Sequence, residues 1–350
     1  MLFLHIFIVD KFTQAYIDFI NKNFNSKEHF FLLYGNRPSE ECLSSSNVWY
    51  CESFSKNIIK VEQALYNAKK VYFHSLFLPP KFLLLLYMQF WLLKKSSWVM
   101  WGGDLYWYSL RTRNIKYNFH EIIRSFVIKN MGGLITQIKG DYDLARLWYG
   151  AKGKYYYSFM YPSNLYKEYD LSKVEKDPAQ IYIQVGNSAD PTNNHIEVFN
   201  KLQVYKDAKI KIICPLSYGS AEYREKVIEV GNKIFGDKFQ PITDFMPFEN
   251  YLELLAKIDI AIFNHKRQQA VGNITTLLGL GKKVYIREDI TTWEFCTSHN
   301  LKVYPFNGEI ENFLDKITEI EKNRNVDNIK LFFSEKKLLE DLQKIFNSEK

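Results

Sequence analysis

Short apolar runs alternate with amphipathic stretches along the whole chain. Apolar runs of four to eight residues read as strands, and apolar residues at i, i+3, i+4 and i+7 read as helices. In the first half this pattern predicts strands near residues 2–9, 29–34, 71–75, 97–101, 133–137 and 155–159. Helices are expected near 12–24, 57–68, 80–94, 116–130 and 141–149. Pro79-Pro80 suits the first turn of the third helix, and Phe119, Ile122, Ile123, Phe126 and Val127 follow helical spacing in the fourth. A polar stretch from Leu165 to Ala179 reads as a linker. Strands are then expected near 180–185, 209–214, 258–263, 283–287 and 302–304. The matching helices are expected near 194–205, 220–235, 248–257, 273–281 and 308–323, with a final helix at 329–347.

No repeat at solenoid periods interrupts this order. Alternation in both halves predicts an α/β chain of two doubly wound domains with parallel sheets. The expected divisions are 1–165, 166–325 and a C-terminal helix in 326–350. Ligands of such sheets bind at the carboxyl ends of the strands, and a cleft faced by both domains is the expected site.

Composition adds little until charge is mapped. Of 350 residues, 47% are hydrophobic and 24% charged, which excludes a disordered, collagen-like or low-complexity chain. The net charge of +7 is unevenly spread. Residues 1–165 hold 20 basic and 11 acidic side chains, whereas residues 166–350 hold 26 basic and 28 acidic. The first half is thus expected to face something anionic, nucleic acid or a membrane surface. Cys42, Cys51, Cys214 and Cys296 form no CxxC pair and read as reduced, mostly buried thiols. The apolar start, Met1 to Asp10, lacks a basic n-region and a cleavage site, so it reads as a first strand. The most apolar segment, Phe82 to Leu93, would reach only about 18 Å as a helix, too short to cross a bilayer. It reads either as a buried helix or as one whose outer face meets the lipid interface, with Trp91, Lys94 and Lys95 at headgroup level.

Three loops hold candidate chemistry. After the first strand of the second domain comes Gly186-Asn187-Ser188, then Asp190 and Asn194-His195. A glycine there lets the backbone turn and approach a ligand, although an ordinary strand-to-helix turn has the same look. The second loop, Asn264 to Thr276, carries Lys266, Arg267, Gln268 and Gln269 and opens a helix at Gly272-Asn273. Free N–H groups at such a start bind phosphate, and the cations add to that. Neither G-x-x-x-x-G-K-[ST] nor G-x-G-x-x-G is present. The third loop is Trp101-Gly102-Gly103-Asp104-Leu105-Tyr106. Aromatic rings and a carboxylate suit a sugar, which makes Asp104 a candidate general base; the alternative is an aromatic core corner with Asp104 capping a turn.

The Asp141-Tyr142-Asp143 string resembles a metal-binding pair, but a helix N-cap accounts for it more simply, and no metal is expected. From Arg111 to Lys139, six basic residues including Arg113 and Lys116 oppose Glu121 alone. Because this stretch neighbours the apolar 78–93 segment and no zinc-finger or RNP-type motif appears, a membrane is favoured over nucleic acid.

Together these residues resemble one family, the TDP-N-acetylfucosamine:lipid II N-acetylfucosaminyltransferases, also called 4-alpha-L-fucosyltransferases, glycosyltransferase family 56. The resemblance rests on His5 with Asp10, on His74, and on Trp101-Gly-Gly-Asp104-Leu-Tyr106. It continues through Val185-Gly-Asn-Ser188 with Asp190, Asn194-His195-Ile196, and Arg267-Gln-Gln269 with Gly272, over about residues 5–290. Gly103 and Asn273 depart from it, standing where Ala and Thr are expected.

The resemblance implies a GT-B fold of two Rossmann-like domains facing a cleft, and a metal- and cofactor-free glycosyltransferase. Its donor would be a TDP-activated 4-acetamido-4,6-dideoxygalactose. Its acceptor would be an undecaprenyl-diphosphate-linked saccharide at the cytoplasmic face of a bacterial inner membrane. Under that reading Gly186, Asn187, Ser188, Asp190, His195, Gln268, Gln269, Gly272 and Asn273 hold the donor, and Arg267 neutralises the leaving diphosphate. Asp104 is the first choice for acceptor activation, with His74 and Asp10 behind it. Trp91, Lys94, Lys95, Arg111, Arg113 and Lys116 would meet the acceptor or the membrane. Two rivals remain, a GT-B-like epimerase or hydrolase and a non-catalytic nucleotide-sugar-binding partner of a polysaccharide assembly complex.

Overall fold

A computed structural model describes residues 2–110, 115–308 and 312–348 of the chain. It divides into two compact units, Met1–Leu165 with Glu335–Lys350, and Tyr166–Ser334.

The first unit runs β1 (Phe3–Ile8), α1 (Thr13–Asn23), β2 (His29–Tyr34), α2 (Glu40–Ser44), β3 (Val48–Tyr50), α3 (Phe54–Asn67) and β4 (Lys70–His74). It continues with α4 (Pro80–Met88), β5 (Ser96–Val99), α5 (Gly103–Leu110), α6 (Ile115–Asn130), β6 (Gly133–Ile135), α7 (Lys139–Tyr149) and β7 (Lys154–Tyr156). The seven strands form one parallel sheet in the order β3-β2-β1-β4-β5-β6-β7. β1 lies inside the sheet, between β2 and β4, and five of its six residues, Phe3 to Phe7, are buried. A parallel strand covered on both faces needs such a continuous apolar run rather than an alternating one.

The second unit runs β8 (Ile181–Val185), α8 (His195–Leu202), β9 (Ile210–Pro215), α9 (Ala221–Phe235), β10 (Phe239–Ile242) and α10 (Phe248–Lys257). Then follow β11 (Ile260–Phe263), α11 (Val271–Gly279), β12 (Lys283–Ile286), α12 (Thr291–Ser298), β13 (Tyr304–Pro305) and α13 (Glu319–Phe332). Its six strands are parallel, in the order β10-β9-β8-β11-β12-β13. In both sheets the strand order reverses once, between β1 and β4 and between β8 and β11. Loops leaving two such strands diverge, and ligands of open α/β sheets bind there.

Several short elements escape the hydrophobic pattern: β3, β10, α2, α5 and α12. Each is eight residues or fewer, too short for a period to show. The apolar 82–93 segment is not one helix. α4 stops at Met88, Gln89 leaves helical geometry, and a 3-10 turn spans Phe90–Lys95. Phe119 and Ile122 carry the helical spacing of α6, yet they are 66% and 65% exposed; Ile123, Val127 and Ile128 are the residues that enter the core.

The helix expected over 308–323 starts later. Thr318 and Glu321 form a reciprocal capping box, which places the first turn at Glu319. The final helix expected over 329–347 is two: α13 ends at Phe332, and α14 (Glu335–Asn347) packs with the first unit. The Phe346 ring lies 5.2 Å from that of Phe3, 4.8 Å from His29 and 5.6 Å from Tyr72. The C-terminal segment is therefore part of the first unit's core rather than a separate 326–350 element. Truncating Phe346 to Ala removes this ring cluster and should destabilise the first unit by roughly 3 kcal/mol. An unchanged urea midpoint for that unit would contradict the docking.

Candidate active site

In the second unit, the loops after β8 and β11 are tied together through one side chain. Asn193 is fully buried. Its Oδ1 accepts from the Asn187 backbone N–H at 3.0 Å and from His265 Nε2 at 2.8 Å. Because that oxygen already faces a backbone donor, the His265 proton must sit on Nε2. Asn193 Nδ2 donates to Ser188 Oγ and to the Asp190 carbonyl. Asn194 Nδ2 donates to the Asn264 carbonyl at 2.8 Å, a second tie between the loops. Gln269 spans the same gap: its Oε1 lies 2.8 Å from Thr192 Oγ1, and its Nε2 donates to Asn187 Oδ1 at 3.3 Å.

Gly186 is required where it stands. Its φ is +66°, and a Cβ there would lie 2.5 Å from His195 Nε2 and 2.7 Å from Asn193 Oδ1. Arg267 reaches Asp190 Oδ2 at 3.4 Å, and its other arm donates to the Gln268 carbonyl. Burial alone would raise the Asp190 carboxyl, but the two Thr192 hydrogen bonds and the Arg267 charge hold it below its usual range. Burial pushes His195 and His265 down to about 3, so both imidazoles are neutral at physiological pH.

Buried polar atoms on the two loops that lack a hydrogen-bond partner among the described residues include Arg267 Nε, Gln268 Oε1, His195 Nε2, His265 Nδ1 and Asn264 Nδ2. Each unpaired buried group costs on the order of 1–3 kcal/mol, so a folded chain keeps such a group where a ligand meets it. α11 opens beside them. Ala270, at φ 57°, precedes Val271, and no side chain caps the first N–H groups. Gly272 and Asn273 sit in that first turn, partly exposed.

The first unit gives the three candidate bases different roles. Asp104 is fully buried. Its Oδ2 accepts from the Leu76 N–H at 2.9 Å and Trp98 Nε1 at 2.7 Å. Its Oδ1 accepts from the N–H groups of Trp101 at 3.0 Å and Leu105 at 3.1 Å. Four donors occupy the four lone-pair positions, so no lone pair is left to take a proton. The expectation of Asp104 as acceptor-activating base is corrected: it anchors the turn between β5 and α5. His74 is also buried, with Nδ1 2.8 Å from the Tyr161 hydroxyl and Nε2 3.2 Å from His5 Nδ1. Neither nitrogen is open to a substrate. Asp10 differs. It is exposed, on the loop that leaves the carboxyl end of β1.

The sequence model of the family described as 4-alpha-L-fucosyltransferase, glycosyl transferase group 56, matches residues 9–348. The chain belongs to this family. It is a glycosyltransferase, and its fold is GT-B. Anabaena HepE, crystallised with UDP-glucose, aligns at a TM-score of 0.67 and 11% identity, over 100% of both chains. Sucrose-phosphate synthase from Thermosynechococcus elongatus aligns at 0.68 and 10%, over 99% of this chain and 98% of that one. A glycosyltransferase from Rickettsia africae aligns at 0.65 and 14%, with the same coverage. At these identities the likeness speaks for the fold.

In this family-56 glycosyltransferase the expected surface residues separate. Trp91 and Lys94 are exposed. Lys95 is not available to a headgroup: its ammonium donates to the carbonyls of Tyr66 at 2.9 Å and Ala68 at 2.6 Å, closing the carboxyl end of α3. Arg111 and Arg113 lie outside the described residues, as does the side chain of Lys116. Asp141 is buried and accepts from the Tyr106 hydroxyl, while Asp143 pairs with Lys139 at 2.6 Å. Among the described residues no group of three His, Cys, Asp or Glu is placed to hold a metal ion.

Sequence reasoning passed over Asn193, His265 and Tyr161 as site residues. Asn193 and Asn194 look alike as helix caps, and only burial separates the bridging side chain from its neighbour. Asp104→Asn leaves two of the four donors facing an amide NH₂. It should lower stability by about 2 kcal/mol or more. A wild-type denaturation midpoint would refute the anchoring role.

Proposed function

We propose that this glycosyltransferase moves a deoxy-amino sugar of the 4-acetamido-4,6-dideoxygalactose type from a TDP-sugar to an undecaprenyl-diphosphate-linked saccharide. The setting would be bacterial surface polysaccharide synthesis at the cytoplasmic face of the inner membrane. The observation that carries the donor half is the group of unpaired buried atoms around Arg267 beside the uncapped start of α11. N–H groups at a helix start and a guanidinium suit a diphosphate. The crystallised complex of Anabaena HepE with UDP-glucose supports a nucleotide sugar on this fold.

Arg267 neutralises the charge that builds on the departing diphosphate as the anomeric bond breaks. Gln268 Oε1 accepts from a donor-sugar hydroxyl, Asn264 Nδ2 donates to a hydroxyl or phosphate oxygen, and Gly186 lets the backbone come close. The Gln269 side chain, held by Thr192 and Asn187, braces the loop rather than reaching out. Asp10 takes the place first given to Asp104. An exposed carboxylate at the carboxyl end of a central strand is placed to accept a proton from an acceptor hydroxyl.

The membrane half rests on surface chemistry. Leu84, Tyr87, Met88, Phe90 and Trp91 are exposed on α4 and the turn after it, and Phe119 and Ile122 on α6. The Tyr87 and Phe126 rings, 4.8 Å apart, join the two helices into one face. Exposed apolar residues in such number, next to Lys81 and Lys94, suit insertion at an anionic interface. Among the described residues no helix is long and apolar enough to cross a membrane.

TDP-sugars should raise the melting temperature more than UDP- or GDP-sugars, because a ligand stabilises the state that binds it. Arg267→Ala should lower turnover about 10²–10³-fold, as expected for a lost transition-state donor. Near wild-type transfer by that variant, or no stabilisation by any nucleotide sugar, would sink the reading. The protein should also float with anionic liposomes in low salt and dissociate as salt rises. Equal binding to neutral vesicles would remove the electrostatic part.

A further inference from the structure

Three loops meet at the carboxyl edge of the first sheet. They follow β1, β5 and β7, and each brings one aromatic ring: Phe12, Trp101 and Tyr161. Phe12 stacks on Tyr161, with ring centres 5.5 Å apart and planes 27° apart. Trp101 stands nearly perpendicular to both, at 84° to Phe12 and 77° to Tyr161. Its indole Nε1 donates to the Tyr161 hydroxyl at 2.7 Å.

The rings differ in exposure. Tyr161 is buried, whereas Trp101 and Phe12 are partly exposed. The same turn buries another tryptophan completely: Trp98 donates to the Asp104 carboxylate and is 0% exposed. Among the described residues no ring lies parallel on either face of Trp101. Its one polar atom is taken by Tyr161, so the ring offers a ligand only its carbon face and edge. Asp10 and Lys11, both exposed, border it. Asp10 stands two positions before Phe12 in a closed turn. Its N–H donates to Thr13 Oγ1 at 3.0 Å, and its carbonyl accepts from the Thr13 N–H at 3.0 Å. Lys11 Nζ lies 5.1 Å from the centre of the Phe12 ring.

Buried groups hold the rings still. The Tyr161 oxygen lies 2.8 Å from His74 Nδ1. His74 Nε2 lies 3.2 Å from His5 Nδ1, and His5 Nε2 lies 3.0 Å from His29 Nδ1. All three histidines are buried, and the Phe7 ring stacks on His74 at 3.6 Å. This row ties Tyr161 back to β4, β1 and β2, and Tyr161 in turn ties Trp101. The Trp101 backbone is fixed as well, by its N–H on Asp104 Oδ1. Met160, next to Tyr161, has φ 60°, and Gly102, next to Trp101, has φ 80°. A non-glycine residue in that region is strained, and such strain collects where a functional geometry is held. A side chain already fixed loses little freedom when a ligand arrives.

We propose that Trp101 and Phe12 form the platform on which a pyranose ring of the acceptor saccharide rests, and that Tyr161, backed by the histidine row, is the positioning residue that sets the indole. It rests on the transferase reading above. A pyranose carries C–H groups on its face and hydroxyls around its rim. The C–H face lies on the rings, and the rim hydroxyls reach Asp10 and Lys11. Apolar contact thus supplies affinity, and the two charged groups set the orientation.

The test uses the full chain grown with 5-fluorotryptophan, a TDP-sugar as donor, and lipid-linked saccharides extracted from bacterial membranes as acceptor. Trp101→Ala should raise the KM for acceptor about tenfold, the worth of one good aromatic contact, with the KM for donor unchanged. Trp101→Phe keeps a ring face and should recover part of that loss. An unchanged acceptor KM in Trp101→Ala overturns the platform, and so does a donor KM that rises with it. Tyr161→Phe keeps every ring but leaves the indole N–H without its acceptor. It should move the Trp101 fluorine resonance of the unliganded chain and raise the acceptor KM; if either stays put, the positioning role falls. If Trp101→Ala is no longer stabilised by donor and so has not folded, Trp101→Phe decides, together with the wild-type Trp101 resonance, which must shift when acceptor is added. A wild-type chain that transfers no sugar sinks the transferase reading instead. The Trp101 resonance then decides alone: a shift with methyl glycosides upholds a sugar platform, and no shift across a panel of them overturns it.

Discussion

Parallel pairing is the constraint from which the rest of this structure follows. Every strand in both sheets points the same way as its neighbours, so every strand leaves its sheet at one edge. The chain must return by a helix each time. Where the strand order reverses, successive loops turn away from each other and leave side chains open to a ligand. Asp10 and His74 follow or end the two strands at the reversal of the first sheet. The loops from Gly186 and from Asn264 follow the two strands at the reversal of the second.

How each polar group meets its hydrogen-bonding needs separates framework from function. Asp104 and Asn193 are equally buried and fully engaged, one by four donors and the other by two donors and two acceptors. They hold loops in place. Arg124 adds to the first by donating to the Asp104 carbonyl. Arg267 and Gln268 keep buried atoms unpaired, at a cost that only a bound group removes. The same test moves Lys95 from the surface to the end of α3, and leaves Asp10 as the exposed carboxylate among the three candidate bases.

Histidine burial runs through both units. His5, His29 and His74 in one, and His195 and His265 in the other, all lie far below the ordinary imidazole range because burial penalises the charged ring. A neutral imidazole needs one donor and one acceptor, which makes it a directional linker. His265 uses that property to fix Asn193, and the first unit repeats it three times in succession.

Much of this was legible in the chain itself. Continuous apolar runs separated by amphipathic helices determined two parallel α/β sheets, because strands covered on both faces must be apolar throughout. The glycines and polar residues after β8 and β11 marked the donor loops, since strand ends are where such sheets expose polar chain. Local pattern had no power over three other matters. It did not separate Asp104 from Asp10, because a carboxylate's role depends on how many donors converge on it from distant strands. It did not place α14, whose own amphipathic face says that it packs but not on which sheet. Nor did it show that His5, His29 and His74, 69 positions apart at their widest direct bond, form one row, since strand register alone brings them together. Periodicity is a local property and was enough for the elements; partners far apart in sequence were chosen only when the sheets formed.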